Sequence, residues 1–118
     1  MSHKLSRFSK KETNEFFSKA YAVARKETVT VLVAPATESF GRILVVTPRA
    51  IGNSPQRNRV RRRLKAIFFE EKLFERGYDC AVIVRKKGID VSFDELKEIL
   101  LKGFNDLDQA RNGNDVHQ

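Results

Sequence analysis

The sequence has no tryptophan, one cysteine (Cys80), one methionine and two histidines, and the histidines stand near the chain ends at His3 and His117. One cysteine cannot close an internal disulfide. Two histidines so far apart, with no second His or Cys beside either, do not make a structural metal site. No window approaches the ~18 consecutive apolar residues of a membrane span. The first residues lack an apolar core followed by small residues, so no signal peptide is expected, and a cytoplasmic location follows as the expectation. Neither common glycine-rich phosphate loop occurs. No histidine lies near a nucleophile, and Cys80 falls inside an apolar run, where a thiol is inert. Glu70 with Glu71, and Asp94 with Glu95, fit helix charge patterning better than acid–base work. The chain therefore reads as a binder rather than a self-sufficient catalyst.

What it has is positive charge. Its 118 residues carry 23 Lys and Arg against 15 Asp and Glu, a formal net charge of +8. That length suits one domain with one modest core. Such an excess points to a polyanionic partner, although charge alone also serves solubility.

Periodicity organises the rest. Residues 1–11 read as a basic arm (Lys4, Arg7, Lys10, Lys11). Phe16, Phe17, Ala20, Tyr21 and Ala24 recur at helical steps, which predicts a first helix from about Glu12 to Ala24. Residues 28–35 and 42–47 are β-branched and end at Pro35 and Pro48; they read as two strands of a hairpin with a long connection. Ser54 is a candidate N-cap and Pro55 suits the first helical turn. This second helix is expected to reach about Phe74. Residues 78–84 are almost continuously apolar, as in a strand buried on both faces. Ser92 and Glu95 form a capping-box pattern for a last helix with Phe93, Leu96, Leu100 and Phe104 inward. Residues 1–104 thus form one domain in this reading, and 105–118 a disordered polar tail. The strand–helix–strand between 42 and 84 is either a parallel crossover, right-handed by default, or an α+β variant.

One segment breaks a local rule. Between Arg57 and Lys65 six of nine residues are basic and none is acidic. On a helical wheel Val60, Leu64, Ile67, Phe68 and Phe74 cluster. Asn58, Arg62 and Lys65 fall opposite, flanked by Arg59 and Arg61. Like charges three and four apart repel, and cations are disfavoured at a helix N-terminus. A polyanion explains the violation, because guanidinium forks match phosphate oxygens in pairs and helix N-termini attract phosphate. Phe17 and Tyr21 read either as core residues or as exposed rings that could stack on unpaired bases. Phe69, on the polar side of the wheel, is open to stacking or packing. Arg85 and Lys86, with Lys87, either extend the cationic surface or guard a sheet edge.

Gly52-Asn53, three residues, then Arg57-Asn58-Arg59-Val60-Arg61-Arg62 strongly resembles the signature of the bacterial ribonuclease P protein subunit. The helix with two aromatics, Gly77-Tyr78-Asp79, the valine-rich strand with Arg85-Lys86 and the closing amphipathic helix resemble the same family, over about residues 4–104. Pro48-Arg49-Ala50 stands where the family usually has Ser-Lys-Lys, Lys65 where arginine is common, and Ala66 where Glu or Gln is. The resemblance implies an α/β (α+β) two-layer sandwich of three helices and a four-stranded sheet, a class shared with a ribosomal protein domain. It also implies a left-handed β-α-β crossover and a fourth strand that the periodicity does not locate. It implies a monomeric protein subunit, in a 1:1 holoenzyme with a catalytic RNA that uses Mg²⁺ to remove the 5′ leader of precursor tRNA, with no metal site in the protein. Arg49, Asn53, Arg57, Asn58, Arg59, Arg61, Arg62 and Lys65 would contact RNA. Phe17, Tyr21, Arg85 and Lys86 would line a cleft for the leader. A small basic ribosomal protein, another structured-RNA-binding module and a DNA-binding module are the alternatives.

Overall fold

The structure is a computed structural model that describes residues 8–116, with side chains from 8 to 110. Lys4, Arg7 and most of the expected basic arm lie outside the described residues, as do His3 and His117. Among the described residues the elements run α1 (Lys10–Lys19), β1 (Tyr21–Arg25), β2 (Val29–Pro35), β3 (Ile43–Val46), α2 (Ser54–Glu70), β4 (Tyr78–Val84) and α3 (Phe93–Val116). Short 3-10 turns occupy Arg49–Ile51, Leu73–Glu75 and Lys86–Gly88. No helix among these residues is long and apolar enough to cross a membrane.

The strands form one mixed sheet in the order β1-β2-β4-β3. β4 pairs antiparallel with β2 and parallel with β3, so 42–84 is a parallel crossover through α2. β2 and β3 are not partners, which corrects the expected hairpin: β4 lies between them. Its apolar run accounts for this, because Asp79, Cys80, Ala81, Val82 and Val84 are buried and a central position covers both edges and both faces.

Alternation divides the sheet. Val29, Val31, Val33, Ile43, Cys80, Val82 and Val84 join Val60, Leu64, Ile67 and Phe68 of α2 and Leu96, Leu100, Phe104 and Leu107 of α3 in one core. The rings of Phe68 and Phe104 meet edge-on at 6.4 Å between centroids. Each such side chain contributes about 1.5–3 kcal/mol by leaving water. Among the described residues, the second face carries α1 and the preceding Phe8, with Phe16 seated on Ala34 and Ala81.

Four boundaries differ from the sequence expectation. The first helix stops at Lys19, and residues 21–25 supply the unlocated fourth strand. A register shift between Ala22 and Ala24 breaks the alternation that would have revealed it. The N-cap of α2 is Asn53 rather than Ser54, and α2 ends at Glu70, before a 3-10 turn that holds Phe74. Finally, α3 runs on to Val116, so residues 105–116 are helical rather than a loose tail. Leu107 is buried, and the next residue, Asp108, bridges to Arg76, so the helix is docked beyond residue 104.

Candidate nucleic-acid interface

The site begins at the start of α2. Asn53 caps the helix in a reciprocal box: its side chain accepts from the Gln56 N–H at 2.9 Å, and Gln56 Oε1 accepts from the Asn53 N–H at 2.9 Å. Gly52 lies so close that a Cβ there would sit 2.7 Å from that same Gln56 oxygen and 3.0 Å from Ile89. The Gly-Asn pair is thus explained by sterics and capping together. The first turn contains no acidic residue.

The six basic side chains of this helix divide by role. Arg63 donates to the Val91 carbonyl at 3.0 Å and ties α2 to the segment before α3. Arg57 is half-buried and donates to Ser54 Oγ at 3.1 Å. Arg61 holds Asn58 Oδ1 at 3.0 Å and also reaches Thr47, just past the end of β3. Arg59, Arg62 and Lys65 are exposed. Among the described residues none of the six has a carboxylate partner. Ser54, Pro55, Asn58, Arg59, Arg61 and Arg62 line one shallow groove. Arg49 stands exposed in the 3-10 turn that leads into the helix.

The second half of the site is the sheet face that α2 and α3 leave open. Register places Arg25, Thr30, Ile83 and Val46 in one row across it, and Ala22, Leu32, Ala81 and Leu44 in the next. α1 covers part of the second row through Phe16, while Leu32, Leu44, Val46 and Ile83 stay half-buried. The result is a cleft with an apolar floor and α1 as its wall. Cations stand at both ends of the outer row. Arg85 donates to Thr30 Oγ1 from Nε at 3.3 Å and from Nη2 at 3.0 Å beside Arg25, and Arg61 sits on Thr47 beyond Val46. Lys86 follows Arg85, exposed.

Of the two aromatics, Phe17 is on α1, 40% exposed and edge-on to Phe16 at 5.2 Å. Tyr21 is also exposed but is not its neighbour one turn on. It opens β1 opposite Val33, which puts its Cβ on the sheet face that carries α2 and α3. The pairing of Phe17 with Tyr21 in one cleft is therefore corrected. The cause is the early end of α1: an extended Ala20 replaces the helical step that would have aligned them. Phe69 is exposed and tilted against Phe74 at 5.7 Å, on the opposite end of α2 from the cap.

Sequence reasoning missed Arg42, which fixes the wall to the floor. It is buried, and its guanidinium lies 3.0 Å from Glu12 of α1, 3.6 Å from Asp79 of β4 and 4.3 Å from the centre of the Phe8 ring. Its own N–H donates to Asp79 Oδ1 at 2.8 Å. Hydrogen bonds from the Ser9 N–H and from Arg42 hold the Glu12 carboxyl below its ordinary range. Burial pushes Asp79 above its own, against the pull of Arg42. An arginine at a strand start and an aspartate inside an apolar strand were the available signal: two buried charges require each other. Burial also pushes the Cys80 thiol up, which keeps it protonated and unreactive. No group of three or more His, Cys, Asp or Glu among the described residues is placed to hold a metal ion.

Comparison with known proteins fits this geometry. Residues 3–108 match the family Ribonuclease P. The chain is 30% identical over 98 residues to the ribonuclease P protein component of Bacillus velezensis, covering 82% of this chain and 84% of that one. It is 29% identical over 91 residues to that of Halalkalibacterium halodurans, covering 74% and 76%. Among solved structures, the RNase P protein from Thermotoga maritima superimposes with a TM-score of 0.68 at 26% identity, over 80% of this chain and 91% of that one. The RNase P protein of Staphylococcus aureus gives 0.70 at 17% identity, over 84% and 91%, a likeness of fold. With the signature helix, the mixed sheet and the open face in place, the chain belongs to the ribonuclease P protein family.

Proposed function

We propose that the chain is the protein subunit of a tRNA-processing ribonucleoprotein and binds RNA through two adjoining surfaces. The outer face of α2 (Arg57, Asn58, Arg59, Arg61, Arg62, Lys65), with Arg49 and the Asn53 cap, binds phosphates of the catalytic RNA subunit. The open sheet face takes the single-stranded 5′ leader of precursor tRNA. Its half-buried floor of Leu32, Leu44, Val46 and Ile83 suits bases, Arg85 and Lys86 suit phosphates, and Phe17 offers a ring for stacking. The observation that carries this reading is a row of cations without carboxylate partners among the described residues, set on a helix that begins beyond the exit of β3 from the half-open sheet face.

The protein contributes no bond-making group. Leader cleavage belongs to the RNA subunit, and the Mg²⁺ it requires is held by RNA and substrate. What this chain adds is affinity for the leader and positive charge where two RNAs approach each other. It acts in the 1:1 complex, in the compartment where tRNA matures. Adding the protein to its RNA subunit should lower the Mg²⁺ needed for cleavage and tighten precursor over mature tRNA. If both stay unchanged, the reading fails. Replacing Arg57, Arg59 and Arg62 by Ala should flatten the salt dependence of RNA binding, by about 0.7–0.9 in log–log slope for each phosphate left without its cation.

A further inference from the structure

The basic helix and Arg85-Lys86 do not exhaust the cationic surface. At the far edge of the sheet, the turn between β1 and β2 interlocks with the segment that leaves β4. The Lys26 N–H donates to the Val29 carbonyl at 2.9 Å and closes the turn. The Arg85 N–H donates to the Thr28 carbonyl at 2.9 Å. Gly88 presses so closely on Thr28 that a Cβ would lie 2.1 Å from that carbonyl oxygen. Two segments about sixty residues apart in sequence thus form one fixed platform, with about 540 Å³ of open groove lined by Arg25, Lys26, Glu27, Arg85, Lys86 and Lys87.

Five of those six side chains are cationic. Glu27 is the single acid, and it meets Lys87 at 3.4 Å with both side chains largely in water. Arg25, Lys26 and Lys86 have no carboxylate partner among the described residues. Guarding the free edge of β1 needs only a lysine or two. It does not require a second segment, locked in by a glycine, to add three more cations. Arg25 also ends the outer row of the open face, beside the Thr30 that anchors Arg85. The platform is therefore continuous with the cleft. It lies three strand intervals from the exit of β3, about 14 Å across the sheet.

We propose that Arg25 and Lys26, with Lys87, form a second phosphate-binding site, which takes RNA backbone where it leaves the cleft over the edge strand. This rests on the RNA-binding reading above. The test compares four full-length variants, the α2 triple variant above and three double variants, in binding to precursor tRNA with a long 5′ leader, in complex with the RNA subunit, across a salt series. R25A/K26A should reduce the log–log salt slope by about 1.4, two single-strand contacts at about 0.7 each. K26R with K87R should keep the parent slope. K97A/K102A, which removes equal charge on α3, should also keep it. If R25A/K26A matches the parent while the α2 triple variant flattens the slope, the platform binds no RNA and the wider reading stands. If R25A/K26A and K97A/K102A fall equally, the effect is bulk charge and the site is refuted. If even the α2 variant matches the parent, the RNA-binding reading itself fails.

Discussion

The two faces of this sheet come from the same four strands and do opposite work. One face is sealed: Val31, Val33, Cys80 and Val82 have no solvent exposure, under α2 and α3. The other is half open, with Leu32, Leu44, Val46 and Ile83 left accessible beside α1. Side chains alternate along a strand, so neighbours in sequence belong to different faces. The sealed face supplies stability, and the open face withholds some of the burial it could have made. Leaving apolar surface uncovered costs stability, so the open face is where a binding role is to be sought.

The sharpest break in that comparison should come from the sealed side. Leu64→Ala should lower folding stability by about 2–5 kcal/mol, since a cavity opens in a packed core. Urea unfolding measures it, and RNA affinity of the folded fraction should not change. Phe17→Ala should do the reverse. Thermal stability should stay close to the parent, while affinity for precursor tRNA with a leader weakens by about 1–3 kcal/mol, the worth of one base stacked on a ring. Equal weakening toward mature tRNA would remove Phe17 from the leader site. Ile83→Val, on the open face, should cost about 0.5 kcal/mol, the low end for this change, because the side chain is half exposed.

The smallest effect concerns how α1 is held. The Glu12 carboxyl has its pKa lowered in the folded protein from 4.5. A depressed carboxylate stabilises the fold above its unfolded pKa, and that contribution disappears as pH falls through the folded value. Asp79 is raised from 3.8, so its contribution has the opposite sign and is lost as pH rises through the folded pKa. Glu12→Gln keeps the capping box with Ser9 and removes only the charge. The variant should therefore show a flatter loss of stability below about pH 4.5 than the parent, measured by urea unfolding at a series of pH values. An unchanged acid limb would show that the Arg42–Glu12 pair does not hold the wall of the cleft.

The local patterns were legible. Val60, Leu64, Ile67 and Phe68 recur at helical spacing and are buried as a stripe, and residues 78–84 form the largely buried strand that their apolar run implied. The basic cluster, its phase on the helix and its Gly-Asn start could be read directly, because each depends on residues within a few positions of one another. Less legible were the segments whose state depends on remote partners. Residues 21–25 suit a helix or an edge strand about equally, and only pairing with β2 makes them a strand. Ser54 and Asn53 are both good caps, and the closeness of Gly52 to Ile89, thirty-seven positions along the chain, accompanies the choice of Asn53.

By itself, then, the sequence determined the periodic elements, the sealed core stripe and a cationic helix whose charges break the local rules for helix stability. The tertiary structure decided which strands adjoin, that Tyr21 and Phe17 part company, and that Arg42 closes one wall of a cleft. It also brought Arg25 and Lys26 beside Arg85 and Lys87. Periodicity reports which way a side chain points from its own backbone. Strand order, register and paired buried charges are contacts between distant segments, and these are chosen by which packing covers the most apolar surface while leaving fewest polar groups unpaired.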